Sequence, residues 1–159
     1  MRIYTDASTR GNFSGLGYIA TNSKNVEIHK AGIVIDQKDN NTAELQAILY
    51  AIDDTENLIQ PNEKVTILTD STYAIHAIRE GTLRKEEEPL IHKIRDMMTA
   101  RNYNLFWIKG HCQDGTILSF YNKRADKMSK VVRKQYEKDI KEAKKQKLLR
   151  HIKGNIYGG

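Results

Sequence analysis

Three β-rich runs stand next to one another at the start of the chain, and at Asn41 the apolar period becomes helical. Residues 1–6, 15–23 and 26–35 read as strands, and Asn22, Ser23, Lys24 and Asn25 form a turn that makes the last two a hairpin. In 41–54, Leu45, Ile48, Leu49 and Ile52 make an apolar stripe at helical spacing, while Ala43, Ala47, Tyr50, Ala51 and Asp54 fall on one side. The run "KVTILTD" (64–70) is short, β-branched and bounded by turn signals, as a buried central strand is. Ser71 is placed to cap a helix over "TYAIHAIRE" that Gly81 stops, and a further helix over 86–102 starts near Pro89. Residues 103–109 read as a strand, and a last helix is expected from Asn122 through Arg150, with Gly154 breaking it. The order β β β α β α α β α predicts a mixed α/β fold. Adjacent antiparallel strands come first, βα units follow, helices cover the sheet, and an extended helix closes the chain.

With 159 residues, 39% of them apolar and 29% charged, the chain suits one soluble globular unit with a real core. No apolar run approaches the roughly 20 residues that cross a bilayer, and "MRIYTDAS" lacks the apolar region of a secretory signal. Cys112 is the single cysteine, which excludes an internal disulfide. A cytoplasmic monomer is expected. The net charge of +6 is unevenly placed. Residues 1–129 hold 16 Lys and Arg against 17 Asp and Glu, whereas residues 130–159 hold 10 against 3. Such asymmetry points either to a polyanionic partner such as nucleic acid or to a solvated charged helix.

Two apolar runs end alike, "IYTDAS" at 3–8 and "ILTDST" at 67–72. Residues at strand ends in a sheet with βα crossovers project into a shared crevice, so Asp6 and Asp70, each taken as ending its strand, are expected to converge. Glu44 lies on the helix between them at the edge of its apolar stripe, and Asp126 stands in "NKRADKMSK" at the start of the last helix. Carboxylates gathered without Lys or Arg repel one another, and divalent cations remove the repulsion. An all-oxygen donor set suits Mg²⁺ or Mn²⁺, and two such ions about 4 Å apart serve phosphodiester hydrolysis. The small residues Ala7 and Ser8 would let a nucleic-acid backbone approach. One Asp at a strand end is more often a turn former or cap; four acids in this order are more specific.

With "YTDAS", "NNTAELQAI", "ILTDSTYAI", "WIKGH" and "NKRAD", residues 1–130 resemble type I ribonuclease H. The resemblance implies a five-stranded mixed sheet, three antiparallel strands then two parallel, flanked by helices. It implies cleavage of the RNA strand of an RNA/DNA hybrid, with two Mg²⁺ ions held by Asp6, Glu44, Asp70 and Asp126. It matches His111 to the family's mobile histidine, which assists proton transfer or product departure. Asn12, Asn40 and Asn41 match positions that contact sugar hydroxyls and bases in the minor groove, and reading 2′-hydroxyls separates RNA from DNA.

The chain also departs from that pattern. Ala7 stands where the family usually has Gly, and Asp39 where it commonly has Thr. Between Ile78 and Pro89 there is only "REGTLRKEEE", without Trp and with no basic excess. The extra helix and basic, Trp-containing loop of many cellular members are thus missing, and the layout is closer to the retroviral domain. Asp114 competes with Asp126, which is preferred for its helical context. Residues 131–159 form a basic, mostly helical extension. Val132, Tyr136, Ile140 and Ala143 make a packing stripe on it, and Lys141, Lys144 and Lys145 are among the lysines offered as a substitute grip on the hybrid. The bland alternative is a solvated buttress. Trp107 is read as core, Asp53 and Asp54 as solvated, and a thiol nucleophile at Cys112 finds no base. Two rival functions stay open, a same-fold nuclease for structured DNA and a non-catalytic hybrid-binding module. The initiating Met1 and the long tail favour a stand-alone protein over a domain of a polymerase polyprotein.

Overall fold

The structure, a computed structural model, describes residues 1–111 and 114–157, the side chain of Tyr157 excepted; Cys112 lies outside the described residues. Strands β1 (Arg2–Arg10), β2 (Phe13–Thr21) and β3 (Glu27–Asp36) are followed by helix α1 (Asn40–Thr55), strand β4 (Thr66–Thr69), helices α2 (Thr72–Glu80) and α3 (Glu88–Ala100), strand β5 (Asn104–Trp107) and helix α4 (Ile117–Tyr157). The sheet order is β3-β2-β1-β4-β5. β1, β2 and β3 pair antiparallel, and β4 and β5 add in parallel, so the expected mixed sheet is present. No helix among the described residues is long and apolar enough to cross a membrane.

Alternation along β1 divides the molecule into two layers. Ile3 packs with Leu45, Ile48 and Ile52 of α1, Ala77 of α2 and Ile94 of α3, and Ala7 packs with Ala43 and Ala47. The apolar stripe of α1 and its alanines Ala43, Ala47 and Ala51 thus face the sheet and the neighbouring helices. Tyr4 points to the other face and packs with Ile19, Leu68, Tyr121 and Ala125 beneath α4. Gly15 and Gly17 let α4 approach closely. A Cβ on Gly15 would stand 2.1 Å from the backbone oxygen of Ser129, and one on Gly17 2.7 Å from the backbone nitrogen of the same residue.

The caps follow the sequence. Ser71 Oγ accepts the Ala74 N–H at 3.0 Å at the start of α2, and Gly81, at φ +107°, ends that helix. Asp39 caps α1 by accepting the Thr42 N–H at 3.0 Å, and it also pairs with Arg84 at 3.0 Å. The anion that departs from the family pattern is thus a helix cap whose pKa is lowered, first by the Thr42 N–H and then by Arg84.

Four expectations need correction. β1 does not end at Asp6 but runs on to Arg10 as half of the β1–β2 hairpin; only its pairing with β4 stops, at Tyr4 opposite Leu68. α4 begins at Ile117, ahead of Asn122, and passes unbroken through Gly154, since one exposed Gly costs a helix only about 1 kcal/mol. Trp107 is not core: β5 is the edge strand, and Trp107 is 47% exposed. Asp54 is not merely solvated, because it accepts the Tyr18 hydroxyl and lies 3.7 Å from His29.

The closeness of α4 to the sheet yields a test. Gly15→Ala places a methyl against backbone that cannot swing away, and overpacking of this kind costs about 3 kcal/mol. Urea unfolding should show a lower midpoint for this variant; an unchanged midpoint would contradict the packing described.

Candidate active site

The site forms where β1 outruns β4. Carrying the β1–β4 register two residues past Tyr4 and Leu68 sets Asp6 abreast of Asp70, the first residue after β4. Beyond that point the β4 side of β1 has no strand, and Glu44 of α1 fills the opening, accepting the Ala7 N–H at 3.4 Å. Asp6, Glu44 and Asp70 each offer an oxygen within 4.8 Å of the others. Asp6 and Glu44 are buried, and Asp70 is partly so.

Asp126 borders this trio. It lies in the second layer on α4, near enough to be among the charges acting on Asp6, and its Oδ2 is 2.9 Å from Lys130 Nζ. Ser129 links the two layers. Its hydroxyl lies 3.1 Å from Asp6 Oδ2 and 2.8 Å from the Asp126 carbonyl, one proton serving one acceptor at a time. Asn122 donates to Asp70 Oδ2 at 3.3 Å. Gly110 lies against the same carboxylate: a Cβ there would be 2.9 Å from Asp70 Oδ2. Reading the sequence missed Ser129 and Asn122, whose only signal is that they sit one helical turn after and before Asp126.

The electrostatics follow from this crowding. Burial raises the Asp6 carboxyl well above the ordinary range, and Glu44, Asp70 and Asp126 raise it further. Burial, then the charge of Asp70, pushes Glu44 up to about 8. Glu44 Oε2 is buried without a hydrogen-bond partner among the described residues. An orphaned carboxylate oxygen facing two further acids, among oxygen donors only, is the donor set that a hard divalent cation satisfies. The residues present fit such an ion.

The other expected residues fall into two groups. His111 is exposed, has φ +52°, and directly follows Gly110. The competing acid Asp114 accepts the Thr116 N–H at 3.0 Å and the Thr116 and Ser119 hydroxyls, each at 2.7 Å, around the start of α4. Asn12 lies in the exposed β1–β2 turn, and Asn40 and Asn41 open α1, also exposed. These share one end of the sheet, where Phe13 pairs with Asp36 and Ser14 Oγ donates to the Gln37 carbonyl at 2.7 Å. Glu87, buried, anchors that end of α1 by accepting the Thr42 hydroxyl at 2.7 Å and the Tyr73 hydroxyl. Lys141, Lys144 and Lys145 are not brought to the acids. They are exposed, and at 1.5 Å per residue lie about 22 to 29 Å beyond Asp126 along α4.

Comparison with known proteins agrees with this architecture. The RNase H family pattern matches residues 1–135. The chain is 28% identical over 148 residues to the Ribonuclease H of Schizosaccharomyces pombe, covering 80% of this chain and 51% of that protein. It thus spans about half the length of this relative. The fold superposes on LC11-RNase H1, isolated from compost by a metagenomic approach, with a TM-score of 0.70 at 23% identity, over 82% of this chain and 93% of the other. LC11-RNase H1 in complex with an RNA/DNA hybrid gives 0.66 at 24% identity, over 80% and 91%.

The raised carboxyl of Glu44 makes stability depend on pH. Between 4.5, its ordinary value, and about 8 the folded protein holds a proton that the unfolded chain releases. Stability should therefore fall as pH rises through that window. In EDTA, thermal unfolding of the wild type should show this fall, and Glu44→Gln should flatten it. A slope unaffected by Glu44→Gln would contradict the burial described.

Proposed function

The chain belongs to the RNase H family, and on that premise we propose that it is an endoribonuclease that hydrolyses the RNA strand of RNA/DNA hybrids. The observation that carries this reading is the convergence of Asp6, Glu44 and Asp70 with their oxygens within 4.8 Å of one another. The proposed cofactor is a pair of Mg²⁺ ions, with Mn²⁺ able to substitute. Asp6, central and buried, would serve both positions, Glu44 and Asp70 one of them, and Asp126 the other. Bound there, such ions neutralise the clustered charge and lower the pKa of water.

The remaining roles belong to the chain itself. Ser129 orients the Asp6 carboxylate, and Asn122 that of Asp70. In the proposed hydrolysis the water oxygen bonds to phosphorus and the bond from phosphorus to the 3′-oxygen breaks. The water's proton passes to the departing oxygen, the ends are then a 5′-phosphate and a 3′-hydroxyl, and His111 assists either the proton's transfer or product departure. Asn12, Asn40 and Asn41, at one end of the sheet, read the minor groove, where 2′-hydroxyls mark the RNA strand. The α2–α3 connection, residues 81–87, contains only a short 3₁₀ turn. On this reading no basic protrusion grips the hybrid, as in the retroviral layout. Residues 1–130 carry the chemistry and residues 131–159 the basic extension, with Lys141, Lys144 and Lys145 contacting substrate.

Cleavage of labelled RNA/DNA hybrid, duplex RNA, duplex DNA and a DNA junction, each with Mg²⁺ or EDTA, tests the proposal. Only the hybrid should be cut, in its RNA strand and only with the metal. Preference for the junction would favour the structured-DNA nuclease, and hybrid binding without cleavage the non-catalytic module. Asp6→Asn removes ligand charge without changing shape, so turnover should fall by about two orders of magnitude or more, while thermal stability in EDTA holds or rises. Full activity in this variant would refute the assignment.

A further inference from the structure

The outer side of α4 carries a line of lysines, of which the proposed function uses only Lys141 and Lys145. At about 100° per residue, Lys123, Lys127, Lys130, Lys134, Lys138, Lys141 and Lys145 fall within an arc of about 80°. Every residue of that arc from 123 to 145 is lysine. The line runs about 33 Å at 1.5 Å per residue. It lies opposite the side that packs on the sheet, where Ser129 meets Gly15 and Gly17, Val132 meets Gly32, and Tyr136 stacks edge-on against Phe13 at 4.8 Å. All seven lysines are exposed except Lys130, which is half-buried and paired with Asp126.

An ordinary solvated helix face mixes signs, because like charges three or four residues apart destabilise the helix. Here six successive like-charged pairs follow one another with no acid in the arc. The acids of α4 lie to the sides and are engaged there: Glu137 with Arg133 at 2.5 Å, Asp139 with Gln135 at 2.9 Å, and Glu142 with Gln146 at 2.8 Å. Among the described residues, Lys130, with Asp126 at 2.9 Å, is the one lysine of the line in an ion pair.

We infer that this line is a nucleic-acid-binding track, separate from the acid cluster, which holds the phosphate backbone of duplex nucleic acid without reading sugar or sequence. Its length matches about 10 base pairs at 3.4 Å each. It begins beside the proposed cleavage site, with Lys127 next to Asp126, so a duplex held there keeps the protein near substrate. A membrane surface fits the line less well, since insertion needs an apolar face along the helix, and at this level Ala125 is buried, Val132 is half-buried and Tyr136 is stacked on Phe13, all on the side of α4 that meets the sheet. Only beyond Lys145 does the arc become apolar, at Leu148, Ile152 and Ile156. The inference rests on the nuclease reading for its purpose but not for its test.

The test is equilibrium binding of the full chain, in EDTA, to a duplex DNA of about 20 base pairs across a salt series. Each lysine on a phosphate contributes about 0.9 to the slope of log affinity against log salt. The triple variant Lys123→Gln, Lys127→Gln, Lys134→Gln should flatten that slope by about 2 to 3, or roughly 40-fold less loss of affinity between about 50 and 200 mM salt. The corresponding Arg triple should keep the wild-type slope. Glutamine retains helix propensity, and an unchanged thermal midpoint checks the fold. An unchanged slope in the Gln triple overturns the inference. So does binding to phosphatidylserine vesicles that matches the duplex in strength and loses as much in the Gln triple. Failure of hybrid cleavage with the DNA result intact would instead remove the nuclease reading and leave the track standing.

Discussion

Two carboxylates buried against each other at a break in a sheet are the costly feature around which this molecule is arranged. Asp6 and Glu44 come from opposite layers and meet because β4 stops where β1 continues. Charged groups out of water are strongly disfavoured, and a third acid, Asp70, faces them. Among the described residues, Glu44 Oε2 is left unpaired and no Lys or Arg pairs with the trio. A fold selected for stability alone would place apolar side chains there. The rest of the structure holds these oxygens still: Gly15 and Gly17 admit α4, which brings Ser129 and Asp126, and Gly110 admits the loop beside Asp70.

Much of this was legible in the sequence where one residue's role depends on its own neighbours. The apolar runs that end at Thr5-Asp6 and Thr69-Asp70 announced two strands with adjacent acids, and Ser71 and Gly81 bounded α2 as their chemistry requires. The reach of β1 to Arg10 was hidden because Ala7, Ser8 and Thr9 lack an apolar alternation; they belong to a strand only because β2 pairs with them. Trp107 looked like core from composition, yet its exposure follows from β5 being an edge strand, which is a property of sheet order. Ser129 and Asn122 carry no signal beyond their one-turn spacing from Asp126, since their meaning depends on Asp6 and Asp70, distant along the chain.

The last helix joins two jobs in one rigid element. Its first turns cover the sheet and deliver Asp126, and its exposed turns carry positive charge outward. Because α4 is continuous from Ile117 to Tyr157, the lysines stand on the same helix as Ser129 and Asp126. The uneven charge of the chain thus has a physical location: an acidic centre in the sheet and a basic rod leaving it.

On the proposed function, the clustered carboxyls stay protonated until a divalent cation binds them. With Glu44 raised to about 8, ion binding at neutral pH must displace a proton. Calorimetric titration of the metal-free protein with Mg²⁺ at pH 7, repeated in buffers of different ionisation enthalpy, counts those protons. Saturable binding with about one proton or more released per protein is expected. Absence of binding, or binding with no proton released, would contradict it.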